Sequence, residues 1–264
     1  MSESIIPESD NTEKFIFFVL VLLGIVIIFL EITGNNIPYS KFELKNERGF
    51  AFSRCYNTRK GLFLIYLSTI LSITFIYIFD SRKKTPYHII VYIFYLINYL
   101  KRCFEVLFIH KFSKKSSFFA LLYIGISHTF VNTILCRCIL LSNKNIDDSN
   151  FFYLILPFPL IIFGWFGSFY HHILLAKIRR SPRNAKRYKI PRGGLFEYVS
   201  CPHYFMELLT WAGFSVIVHR LSFYGHIVFI FCTFAGRSYQ TRKWYNNNIV
   251  GYPRKRKCLI PLIF

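Results

Sequence analysis

FIFFVLVLLGIVIIFL, residues 15–30, contains no charged side chain, and neither does GLFLIYLSTILSITFIYIF, residues 61–79. At 1.5 Å per helical residue, each run crosses or nearly crosses ~30 Å of hydrocarbon. Lipid offers backbone amides no hydrogen-bond partner, so such runs must satisfy themselves as helices. Short alternating segments of the kind that build a membrane barrel are not visible. Five further stretches, 86–109, 117–141, 151–176, 204–219 and 221–240, complete the pattern, the last two being short and partly polar. The expectation is an all-α, polytopic membrane helix bundle of about seven transmembrane helices. Residues 1–14 form a short lumenal N-terminus, and 15–264 a single membrane-embedded domain.

Composition agrees. With 53% hydrophobic and 20% aromatic residues, the chain is too apolar for an ordinary soluble domain. The first run is not read as a signal peptide, because Glu3, Glu8, Asp10 and Glu13 precede it against Lys14 alone.

The net charge of +20 is unevenly distributed. Seven spans put segments 34–60, 101–116, 177–203 and 241–264 on one side, and these carry 25 Lys/Arg against 6 on the other. The positive-inside rule then places the C-terminus and the main basic loops in the cytosol. Topology and attraction to anionic membrane lipids account for the charge. Nucleic acid is excluded as a partner because the charge is spread over loops between spans. The seven cysteines form no CxxC pair, so neither disulfides nor a zinc site is expected.

Ionisable groups inside spans are costly and therefore point to sites. In YLINYLKRCFEVLFIH, residues 95–110, Tyr95, Tyr99, Arg102 and Glu105 share a broad helix face. In GSFYHHILLAKIRR, residues 167–180, Ser168, His172, Leu175 and Arg179 form a stripe. The His171–His172 doublet lacks the further ligands a metal needs, so no metal is expected. In RYKIPRGGLFEYVSCPHYFMELLTW, residues 187–211, Pro191, Gly193 and Gly194 interrupt any helix, and a new one starts after Cys201. His203 and Glu207 then lie one turn apart on one face, near a helix start suited to an anion. Arg237, in HIVFIFCTFAGRSYQTRKWY, is suited to a phosphate or carboxylate. No GxGxxG follows a strand, which excludes a Rossmann site.

Two strings are specific. YKIPRGGLFEYVSCPHYFMELLTWAG and the terminal GYPRKRKCLIPLIF resemble the C-terminal region of the steroid 5α-reductase family. The likeness covers about residues 165–264 and reaches less closely to RCFEVLFIHKFS at 102–113. FEYVSxPxYxxEL and the HxILxxxIR-like segment resemble the polyprenal reductase branch more than the steroid branch. That branch reduces the α-isoprene double bond on the route to dolichol in the endoplasmic reticulum.

The resemblance implies NADPH as cofactor and a polyisoprenoid lipid as substrate, with no obligate protein partner. It also implies roles. Tyr99 is the tyrosine that hydrogen-bonds the substrate carbonyl. His172 matches a polar position, a histidine in the polyprenal branch, and is a catalytic candidate for tuning Tyr99. Arg102, Arg179, Tyr188, Tyr198, His203, Glu207, Arg237 and Tyr245 are the cofactor-binding set. His203 departs from the family's asparagine, and Arg242 from a histidine. Residues 61–79 supply no carboxylate to match the glutamate by which the steroid branch holds its ketone. The chemistry favours polyprenal over polyprenol, because hydride adds only to a polarised double bond. Steroid or enoyl-thioester reduction is the nearest alternative. An isoprenylcysteine methyltransferase-like enzyme comes next, and a receptor or transporter last.

Overall fold

The structure is a computed structural model and describes residues 10–35, 55–112, 115–141, 155–178 and 189–264. Its architecture is helical, and the strands among these residues amount to one three-residue pair. Seven long helical segments are present among the described residues. They are α1 (Asn11–Thr33), α2 (Thr58–Phe79), α3 (Pro86–Phe104), the composite α4 (Phe118–Gly125) with α5 (Val131–Leu140), α6 (Pro157–Ile178), α7 (Pro202–Val218) and α8 (Leu221–Asn248). Four of them, Asn11–Thr33, Thr58–Phe79, Phe118–Leu140 and Pro157–Ile178, are long and apolar enough to cross a membrane. The exposed Phe15, Phe18, Leu22, Leu64, Leu71 and Phe75 face outward along α1 and α2, as lipid-facing side chains do. This is a helical bundle of a multi-pass membrane protein.

The chain divides into two compact units, residues 1–35 with 149–264, and residues 36–148. In the first, α1 packs along α8, α6 along α7, and α7 along α8. The α1–α8 pair is parallel: the start of α1 meets the start of α8 through the Glu13–Arg220 ion pair, and its end meets Arg237 through Glu31. Eighteen residues separate the two glutamates, which is five turns and about 27 Å. Both therefore project from one face, on which Leu20, Gly24 and Ile27 are also buried. Glycines let the backbones approach: a Cβ on Gly225 would lie 2.9 Å from the Phe17 Cα. Small residues serve this purpose in lipid, where burial of apolar surface supplies little drive.

In the second unit α2 is the centre, against α3, α4 and α5. Strands β1 (Cys55–Asn57) and β2 (Lys115–Ser117) pair antiparallel, Tyr56 opposite Ser116. They lead directly into two capped helices, where Asn57 accepts from the Lys60 amide and Ser117 from that of Ala120. Two π-turns occur among the described residues, one at Glu105–Ile109 continuing α3 and one at Ile126–Phe130 between α4 and α5. Arg137 falls within the 117–141 span expected from sequence. It lies in the last turn of α5 and pairs with Asp80, just beyond α2.

Candidate active site

Gly193 and Gly194 sit at φ +92° and +55°, a region open to glycine and strained for other residues. They turn the chain so that the Gly193 amide donates to Glu197 Oε1 at 2.8 Å. Arg256 reaches the other carboxylate oxygen at 3.1 Å and donates to the Pro191 carbonyl at 2.8 Å. Its side chain is 1% exposed and covers the Tyr252 ring. The Gly193 amide, joined by Arg256 and Arg192, holds the Glu197 carboxyl below the usual carboxylate range despite its partial desolvation.

The backbone carries the same connection further. Val199 and Lys257 form a parallel bridge. The Lys257 amide donates to the Tyr198 carbonyl at 2.8 Å, and Ser200 donates back to Lys257 at 2.9 Å. The Ser200 and Tyr252 hydroxyls lie 2.8 Å apart, and burial pushes the Tyr252 phenol up. Tyr252 stacks on Tyr245 with ring centroids 5.0 Å apart. Arg242 donates to the carbonyls of Arg256 and Arg254. The strings FEYVS and GYPRKRK, some fifty residues apart, thus form one hydrogen-bonded piece. Its outer edge exposes Lys189, Arg192, Tyr198, Arg254, Lys255 and Lys257.

Beside this piece, His172 on α6 lies 5.4 Å, centroid to centroid, from His203 in the first turn of α7. Glu207, one turn on, is buried. The neighbouring His171 is structural. Its Nδ1 donates to the Gly167 carbonyl at 2.6 Å, and its Nε2 accepts from the Leu195 amide at 3.1 Å. Those two bonds fix its tautomer.

A second polar group lies in the unit 36–148. Tyr99 on α3 is 1% exposed, and its hydroxyl is 3.4 Å from Nδ1 of His128. Tyr66 on α2 presents its ring edge-on to His128 at 5.2 Å, and Tyr95 stacks on Tyr99. Arg102 and Lys101 both pair with the fully buried Glu105, at 3.3 and 2.8 Å.

The residues expected from sequence therefore divide. Tyr99 and Arg102 share one unit, and His172, Tyr198, His203, Glu207, Arg237 and Tyr245 share the other. Arg179 and Tyr188 lie outside the described residues. Arg237 turns towards α1, where its guanidinium spans the two oxygens of Glu31 at 3.0 and 3.4 Å. Tyr245 faces Tyr252. His128, Tyr66, Glu197 and Arg256 were not singled out from sequence. The only available signal was that a span carried a lone histidine, and that a glutamate stood beside the glycine pair.

A helical membrane bundle with buried hydroxyl and imidazole groups in one unit and a basic, aromatic-edged C-terminal piece in the other defines the class. The particular family follows from comparison with known proteins. The family described as 3-oxo-5-alpha-steroid 4-dehydrogenase matches residues 111–264, more than half the chain, and the protein belongs to it. The human 3-oxo-5-alpha-steroid 4-dehydrogenase 1 is 26% identical over 187 residues, covering 69% of this chain and 70% of that protein. A very-long-chain enoyl-CoA reductase of Dictyostelium discoideum is 29% identical over 192 residues, 71% of this chain and 62% of its own. A steroid 5-alpha-reductase of Gossypium hirsutum is 42% identical over 78 residues, 29% of this chain and 30% of its own. The protein is accordingly an oxidoreductase of the reductase type.

Proposed function

We propose that the protein uses NADPH to reduce a carbon–carbon double bond conjugated to a carbonyl in a membrane-borne lipid, and that this lipid is polyprenal on the route to dolichol. The observation that carries the reading is the Tyr99 hydroxyl, buried in a helical membrane unit beside His128 and Tyr66. A hydroxyl donor in a low-dielectric site stabilises the negative charge that appears on a carbonyl oxygen during conjugate addition. The bound cofactor supplies the hydride.

The chain's own residues fit such a cofactor. Exposed Arg192, Lys189, Lys255 and Lys257 offer cations to phosphates. Tyr198, 55% exposed, offers a ring face. His203 and Glu207 offer a donor and an acceptor on one face of α7. Arg102 and Arg237 hold buried glutamates and Tyr245 stacks on Tyr252, and a tuning role for His172 rests on the resemblance alone.

The substrate follows from chemistry. An enal is electrophilic at its β-carbon and an allylic alcohol is not. The segment α2 carries no carboxylate to hold a steroid ketone. The second reading is a steroid enone or an enoyl thioester, supported by the names of the relatives. The endoplasmic reticulum membrane is proposed from the family resemblance, and a cytosolic C-terminus from the excess of Lys/Arg in the segments on that side.

Tyr99→Phe tests the site. Turnover should fall at least tenfold while NADPH affinity stays within about twofold. Unchanged turnover would remove Tyr99 from the mechanism.

A further inference from the structure

The π-turn Ile126–Phe130 places His128 within the polar group around Tyr99. A π-turn leaves carbonyl groups without their ordinary helical donors, and such turns persist where something else satisfies them. Here the Asn132 amide donates to the carbonyls of Ser127 and His128, at 3.2 and 3.0 Å. Asn132 is 1% exposed. The next residue, Thr129, reaches α2 through the Ile65 carbonyl and the Thr69 hydroxyl. The edge of Tyr66 packs on the imidazole itself. Backbone, neighbour and ring together hold His128 in one place.

One consequence concerns which atom donates. If Tyr99 gave its proton to His128, it would have none to offer a carbonyl. If Nδ1 carries the proton and donates to the phenol oxygen, the Tyr99 O–H is left to point elsewhere, and its oxygen is polarised to give that proton more strongly. We infer that His128 is a positioning residue for Tyr99, donating through Nδ1 to the phenol oxygen and so aiming the Tyr99 hydroxyl at the substrate carbonyl. This rests on the proposed carbonyl-binding role of Tyr99. No proton needs to leave the pair; the imidazole acts through the tyrosine and does not touch the substrate.

The test uses the full-length reconstituted protein, NADPH oxidation with polyprenal, and two variants. His128→Leu removes the donor. His128→Asn puts an amide nitrogen where Nδ1 stands. The leucine variant should lose about tenfold to thirtyfold in kcat with KM and NADPH affinity within about twofold, and asparagine should restore most of the loss. A structural role alone would move thermal stability in both variants and would not separate asparagine from leucine in kcat. Equal kcat for leucine and wild type, or equal losses in both variants, overturns the inference while leaving Tyr99 in place. A wild-type protein that oxidises no NADPH with polyprenal or with a 3-oxo-Δ4 steroid overturns the reductase reading, and this inference with it.

Discussion

Glu197 shows how much one side chain can connect. Its two oxygens take the Gly193 amide, Arg256 and Arg192, so the carboxylate ties the glycine turn to the C-terminal segment. Its pKa is lowered on folding. The stability it contributes is therefore present above the unfolded carboxylate value, about 4.3, and is lost as pH falls through the lower folded value. Glu197→Gln should flatten the fall in melting temperature of the solubilised protein between roughly pH 5 and pH 3; an unaltered slope would show that other carboxylates set it. The sequence displayed this residue inside FEYVS without revealing its partner. Arg256 lies 59 residues away, and nothing in local spacing joins the two. Arg237 makes the same point. A buried arginine reads as an anion site, and the anion turns out to be Glu31, 206 positions earlier in the chain.

Among the elements, the α1–α8 pair gives the clearest test. Two buried ion pairs lie near its ends, and glycines close the contact between them. Arg237→Ala removes the arginine that pairs with the buried Glu31 and should cost about 3 kcal/mol. The double change Arg237→Ala with Glu31→Gln should return most of it, measured by denaturation in mixed micelles; equal losses in single and double variants would show that the pair carries no coupling. Gly225→Val forces a side chain against the Phe17 backbone, and should lower stability even though helix propensity changes little. The spans were legible because lipid forces helix on any long apolar run, and most expected starts and ends fall within a few residues of the observed ones. The fourth and fifth helices of the expected set differ: 117–141 is met by a composite helix and 151–176 by one starting at Pro157, residues 151–154 lying outside the described residues. The last helix runs eight residues beyond the expected 240, since its polar end no longer signals hydrocarbon. Neither π-turn was legible. One extra residue in a turn leaves a uniformly apolar run apolar, so the turn that sets His128 beside Tyr99 has no signature in the sequence.

For the whole molecule, the seven helical segments among the described residues and the skewed charge support the proposed topology. Cysteines introduced at Lys243 and Lys255 should react with an impermeant thiol reagent from the cytosolic face only, and one at Lys83 from the other face only; the reverse pattern would invert the proposed orientation. The family was readable in two strings because those strings build one hydrogen-bonded piece, whose local geometry demands glycine at 193 and tight packing at 252–258. The substrate was less readable, since hydrocarbon is recognised by shape and leaves few distinctive residues. The most direct measurement is NADPH oxidation by the purified protein in lipid, with polyprenal, polyprenol and a 3-oxo-Δ4 steroid assayed in parallel. The account predicts turnover with polyprenal and none with polyprenol. Turnover with the steroid alone would contradict the polyprenal assignment, and no oxidation with any of the three would contradict the reductase reading itself.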